Sequence, residues 1–160
     1  MEGLLMMMIT FGRSWFRAKK RLTETWSEHK AKIAHEQRQP YVAVVEDDER
    51  IHCFIEANND YFGVGFLDTA LREFLSYQFQ EVEPGRLFLS MATHREFDGE
   101  TDRVKCGTTY YFKFDGSVTV ESEDFATANV TTKKMQTDVS GNWETYPSFG
   151  DYLSLTRVER

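Results

Sequence analysis

Cysteine is scarce in this 160-residue chain. Cys53 and Cys106 are the only two, and neither belongs to a C-x-x-C pair or to a Cys/His cluster at metal-ligand spacing. That excludes a framework of several disulfides and leaves two free thiols as the expectation, in a reducing, cytoplasmic setting. Histidine is also rare: His29, His35, His52 and His94 form no H-E-x-x-H pattern, so neither a metal nor another cofactor is expected. Gly63 and Gly65 make a lone G-x-G with no third glycine opening a helix, and no G-K-[ST] occurs, which removes the phosphate cradle of nucleotide-binding loops. The apolar run from Leu4 to Phe11 has about half the length needed to span a bilayer. It has no basic residue ahead of it and no small-residue cleavage site behind it, so it reads as a poorly ordered leader over residues 1–12, with no membrane as partner.

What is plentiful is acid. The chain carries 26 Asp and Glu against 19 Lys and Arg, a formal net charge of -7. Residues 1–38 hold eight basic and four acidic residues, whereas residues 39–160 hold 11 basic and 22 acidic. Nucleic acid and anionic lipid both reward clustered Lys and Arg, so this balance argues against either and favours a partner with a basic surface. With 13 Phe, 7 Tyr and 3 Trp there is bulk for one core, and one domain is expected at this length.

Trp15, Ala18, Leu22, Trp26, His29 and Ile33 recur at spacings of three and four, with Lys19, Lys20, Glu24, Glu28, Lys32 and Glu36 on other faces. This predicts a basic amphipathic helix over 13–38, ended by Gln39-Pro40 because the residue before proline is pushed out of the helical region. Its aromatic stripe either packs on the domain or serves a partner, including a second copy in a homodimer. After Pro40 the period changes to two, and turn residues recur about every ten positions, which predicts an antiparallel β-rich domain over 41–160. Tyr41 to Glu46 and Ile51 to Glu56 read as a hairpin across a charged turn. Tyr61 to Leu67 reads as a strand whose glycines imply a bulge or a close backbone approach. Residues 69–81 fit both a helix and a strand; their aromatic density favours a strand from about Glu73, turned by Glu83-Pro84-Gly85. Asp115-Gly116 is expected to form a type I′ turn, with later strands over about 129–139 and from Tyr152 to Val158. The fold class is therefore α+β, mainly antiparallel sheet as a meander or partly open barrel, with one long N-terminal amphipathic helix.

Candidates for chemistry are few. His52 and Cys53 are adjacent on a strand and point to opposite faces, so they cannot share a proton. His94 with Cys106, or His94 with a carboxylate, keeps a hydrolytic enzyme open as a minor reading. Glu73, Glu81, Glu96, Asp98, Glu121, Glu123 and Asp124 read as solvated faces of an acidic protein, so no catalytic residue is assigned. A second reading is a barrel-like protein binding a small apolar ligand, with Tyr77, Phe79, Phe88, Tyr111 and Phe114 lining its cavity.

The strings Phe66-Leu67-Asp68, Arg72-Glu73-Phe74-Leu75-Ser76-Tyr77-Gln78-Phe79, Leu87-Phe88-Leu89-Ser90-Met91-Ala92, Arg95-Glu96-Phe97-Asp98-Gly99 and the stretch from Asn142 to Tyr152 resemble small immunity proteins of bacterial polymorphic-toxin systems, over about residues 61–160. The resemblance implies a small acidic cytosolic α+β protein that neutralises a cognate toxin by occlusion and has no catalytic group of its own. Candidate partner-binding residues are Trp143, Glu144, Tyr146, Phe149 and Asp151 in the turn-rich C-terminal stretch, with Glu96 and Asp98. Trp143 and Phe149 also suit a plug for one end of the sheet.

Overall fold

In the computed structural model, which describes residues 7–160, the chain begins with strand β1 (Met7–Gly12), then three two-residue strands, β2 (Trp15–Phe16), β3 (Arg21–Leu22) and β4 (Thr25–Trp26), and one short helix, α1 (Glu28–Glu36). There follow β5 (Tyr41–Asp47), β6 (Arg50–Asn58), β7 (Tyr61–Leu67), β8 (Glu73–Glu83), β9 (Arg86–Phe97), β10 (Val104–Phe112), β11 (Ser117–Asp124) and β12 (Asn129–Gln136). These eight form an uninterrupted antiparallel meander; β1 adds to the free edge of β5 and β4 to β1. The sheet is open, with β12 at one edge and β4 at the other. The sheet thus does not close into a barrel, and the five residues named for a barrel lining do not share one cavity: Tyr77 and Phe79 pack into the core, Phe88 and Phe114 line one groove beside Trp143, and Tyr111 is exposed.

One row of register partners explains the packing. Phe11, Ala43, Ile55, Val64, Tyr77, Ala92, Tyr110, Val120 and Lys133 lie side by side across nine strands. The first six are buried and belong to one cluster; from Tyr110 on, the row emerges into solvent. On this inner face Ala31 and Ala34 of α1 and Tyr152 and Leu155 of the C-terminal segment complete the core. On the outer face Trp15 covers Val42, Val44, Phe54 and Leu67. Strand β5 and strand β7 are thus sandwiched, which is why they read as near-continuous apolar runs rather than clean alternation. Burying a Phe or Ile side chain at such a site contributes about 1.5–3 kcal/mol.

The single helix expected over 13–38 is not what forms. Trp15 pairs with Leu22 and Phe16 with Arg21 across a tight hairpin, and Phe11 pairs with Trp26. The 3.6-residue stripe was a coincidence of hairpin geometry: Trp15 serves the outer face, Trp26 the inner, and Ile33 is 40% exposed. Lys20 at φ 54 sits in the left-handed region and breaks any helix there. Ser27 then starts α1 by accepting the Lys30 N–H at 3.1 Å, and Arg38 (φ 55) closes it just before Gln39-Pro40. Homodimerisation through a long helix loses its surface with it.

Other expectations are refined. Residues 7–12 of the presumed leader are a sheet strand pairing with Val42 to Asp47 of β5, and residues 1–6 lie outside the described residues. The strand from Glu73 is present as β8. Gly63 and Gly65 mark close approach by side chains: a Cβ on Gly65 would drive into the Phe54 ring, and one on Gly63 would meet the Tyr61 hydroxyl. At 113–116 only Gly116 has positive φ (88), with Gly116 N–H donating to Lys113 O at 3.1 Å, so this hairpin carries a type I turn closed by a glycine bulge. The type I′ geometry appears instead at Asp48-Glu49, where both residues have positive φ (49 and 64). The strand from Tyr152 does not form; Leu155 and Thr156 N–H both donate to Tyr152 O, and this turn puts Tyr152 and Leu155, three apart, on one buried face.

Candidate interaction surface

An uninterrupted meander puts every second turn on the same rim. The turns β5–β6, β7–β8, β9–β10 and β11–β12 therefore share one end of the sheet. They carry Asp47, Asp48 and Glu49; Asp68; Asp98, Glu100 and Asp102; and Asp124, with Glu96 and Glu123 just inside, and against these acids stand Arg50, Arg72 and Arg103 on the same turns. Neighbouring turns on a rim are two strands apart, about 10 Å, comparable to the Debye length at physiological salt, so their fields add. The opposite rim mixes Asp60, Glu83 and Asp115 with Arg86 and Lys113.

Two of the acidic turns are locked together by Arg72. Its Nε donates to Asp68 Oδ2 at 2.8 Å, its Nη1 donates to the Gly99 and Thr101 carbonyls at 2.9 and 3.0 Å, and its guanidinium lies 4.7 Å from the Phe97 ring centre. Partial burial opposes ionisation of Asp68, but N–H donation from Arg72 and Ala70 and the adjacent guanidinium hold its carboxyl below the usual range. Lys20 ties the β2–β3 hairpin to the same rim through Asp102 at 3.0 Å and the Ala70 carbonyl at 2.9 Å. Beside the rim, Phe125 in the β11–β12 turn is 51% exposed, with its N–H donating to Lys105 O at 3.0 Å.

Of the residues singled out from sequence, Glu96 and Asp98 lie on this acidic rim, both exposed. Glu96 accepts from the Cys106 thiol at 2.9 Å. The other five lie elsewhere. Trp143, in β13 (Trp143–Thr145), pairs with Phe88 on β9, about 25 Å along that strand from Glu96. Its ring rests against Phe88 and Phe114 under the Arg86 guanidinium. Glu144 is withdrawn from solvent and ion-paired to Arg157 and Arg160. Tyr146 donates its hydroxyl to Asn59 O at 2.8 Å beneath Arg38, and Phe149 stacks on Phe11 at 4.9 Å. Asp151 is exposed beyond a turn in which its N–H donates to Ser148 O. Trp143 and Phe149 pack against the sheet, Tyr146 is tied to the β6–β7 turn, and the structure separates all three from Glu96 and Asp98.

His94 and Cys106 are diagonal neighbours, since Thr108 lies opposite His94 and Cys106 opposite Glu96. The thiol's hydrogen bond goes to the carboxylate, which raises its pKa and works against thiolate formation. Cys53 is fully buried, and desolvation pushes its thiol up to about 12. Among the described residues no group of three His, Cys, Asp or Glu is placed to hold a metal ion, and no helix is long and apolar enough to cross a membrane. Comparison with family models, curated proteins and solved structures returns no match.

The rim and Phe125 were not singled out from sequence. The signal was available: in a meander the acidic turns at 47–49, 98–102 and 123–124 fall on alternate connections, and Phe125 follows Glu123-Asp124 directly.

Proposed function

We propose that this chain is a non-catalytic protein-binding protein whose acidic rim docks on a basic protein surface, most concretely an immunity protein that neutralises a bacterial toxin by covering its functional face. The observation that carries this reading is the collection of acidic turns on one rim of an otherwise mixed-charge sheet. Such a field accelerates encounter with a basic partner and disfavours acidic ones. Exposed Phe125 supplies an apolar anchor within the charged surround. The Asp48-Glu49 turn supports the same reading, because type I′ positions favour Asn-Gly. The chain instead keeps two acids in left-handed conformation, and for a residue such as Glu49 this costs about 1–2 kcal/mol.

The test is co-expression with any neighbouring gene product that is toxic when expressed alone, together with binding kinetics of the purified pair. Native chain should protect cells and associate fast at low salt. Replacing Glu96, Asp98, Glu100 and Glu123 by their amides should cut the association rate about tenfold or more. Phe125→Ala should chiefly speed dissociation. A complex whose formation ignores both salt and the amide variant would overturn the rim as the docking surface, and absence of protection would overturn the immunity role.

A further inference from the structure

On the outer face, away from the core, a cleft of about 320 Å³ opens between the β2–β3 hairpin and the start of β8 and end of β9. We infer that this cleft is a binding site for a small aromatic monoanion, a flat ring system bearing one carboxylate, with Arg95 taking the anionic head. The volume suits one small molecule. Trp15 and Phe97 line it together with Leu67 and Leu71, so its surface is mostly apolar and includes two aromatic rings.

The choice of an anion comes from hydrogen-bond accounting. Arg17, Lys20, Arg72 and Arg95 all border the cleft. Arg17 is held by Glu56 at 2.6 Å, Lys20 by Asp102 and a carbonyl, and Arg72 by Asp68 and two carbonyls. Arg95 has five N–H donors, yet it makes one hydrogen bond, to Ser76 Oγ at 3.2 Å, and its nearest carboxylate, Glu73, stands 3.9 Å away. Its side chain is 28% exposed, and the remaining N–H groups have no protein partner, so they are free to exchange water for an acceptor that enters the cleft. A carboxylate entering the cleft would meet a partly desolvated guanidinium with spare donors, the arrangement in which a charge-assisted pair is strongest. The four cations are matched one for one by Glu56, Asp68, Glu73 and Asp102, so the cleft has no surplus of positive charge beyond what the spare Arg95 donors offer, which suits a ligand with a single negative charge.

Backbone strain points to the same place. Leu71 (φ 58) and Lys20 (φ 54) are both left-handed non-glycine residues, and both line the cleft. Glycine would relieve the strain at 71 but would remove apolar lining, so the leucine is retained at a conformational cost where its side chain contacts the cleft.

The experiment is titration of the full chain with 2-naphthoate and with 2-naphthamide, which has the same rings and no charge, followed by calorimetry and by the Trp15 indole and Arg95 Nε NMR signals. 2-Naphthoate should bind at least about tenfold tighter than the amide and shift both signals. Arg95→Gln should weaken naphthoate about tenfold and leave the amide unchanged. Leu71→Gly, which relieves its own backbone, should keep the native spectrum and weaken both ligands. Equal affinity for the two probes, indifference to Arg95→Gln in a folded variant, or no naphthoate binding up to about 5 mM by natively folded chain would each overturn the assignment. Loss of this site would leave the rim and its test untouched, since neither probe addresses the acidic turns.

Discussion

Asn142 donates its side-chain N–H to the carbonyl of Leu89 at 2.9 Å, at the point where strand β9 changes partner. From Met91 onward that edge of β9 pairs with β10, and from Arg86 to Phe88 it pairs with β13. The carbonyl between them falls in the gap, and the buried amide satisfies it. Asn142→Ala should therefore lower unfolding free energy by about 1–3 kcal/mol, the range for a buried polar group left without a partner. Chemical denaturation monitored by tryptophan fluorescence would show it as a lower midpoint at unchanged slope. A shift within experimental error would mean that water replaces the amide and that the strand exchange needs no side-chain support.

His35 links the helix to the tail. Its Nδ1 lies 2.8 Å from the Tyr41 hydroxyl, which in turn lies 2.7 Å from that of Tyr152. Desolvation by burial lowers the His35 pKa, and the nearby Arg38 guanidinium acts in the same direction. A folded-state value below the unfolded one, about 6.5, means that the unfolded chain gains a proton first as pH falls. Stability from this site is full above about pH 6.5 and is lost as pH drops from there through the folded-state value. Thermal midpoints measured at pH 7.5 and 5.5 should fall for the native chain and fall less for His35→Gln. Equal losses would assign the acid sensitivity to other groups.

Much of this fold was legible from sequence, and the failures have physical causes. Strands from Tyr41 to Phe112 could be read because β-branched and aromatic runs, continuous in β5 and β7, are bounded by turn residues at regular intervals, and β8 because aromatic residues outweigh a helical spacing. The segment from Arg13 to Trp26 could not, because Trp15 and Leu22, seven apart, share a face both on a helix, where seven residues make about two turns, and across the tight hairpin in which they pair, with Lys20 in the left-handed region. The tail was misread because Tyr152 and Leu155 serve a turn whose core lies far off in sequence. For the candidate surface, Glu96 and Asp98 were chosen by charge alone, and both are exposed at the rim. The aromatic residues chosen as anchors were drawn into packing, since a ring in a turn-rich stretch looks the same whether it covers a partner or a core.

Cys106 offers a chemical reading of the rim. Its thiol donates to Glu96 at 2.9 Å, and the carboxylate disfavours the thiolate that alkylating agents attack. At pH 8 the native chain should react slowly with iodoacetamide at Cys106 and not at all at buried Cys53. Glu96→Gln should accelerate Cys106 labelling several-fold by removing the negative charge beside it. Mass spectrometry of the labelled peptide reads both rates; identical rates in the two proteins would place the carboxylate outside effective reach of the sulfur.

The edge strand β12 poses a hazard that two lysines answer. All eight residues from Asn129 to Gln136 are exposed, and the outer row of backbone N–H and C=O groups has no strand beside it. Val130 and Met135 add exposed apolar surface at 55% and 46%. Lys133 and Lys134 stand next to each other on opposite faces, so an incoming copy of β12 must bring its own lysines near these two on one face or the other. Like charges across a strand pair are unfavourable, and desolvating lysine chains adds to the cost. Replacing both by valine removes that barrier and raises strand propensity on an edge already open for pairing. The double variant should self-associate with rising concentration in sedimentation or light scattering, while Lys133→Glu with Lys134→Glu, which keeps like charges on the edge, should stay monomeric wherever the native chain does. If the valine variant sediments as the native chain does, β12 is protected by twist and shortness, and the lysines there serve another purpose.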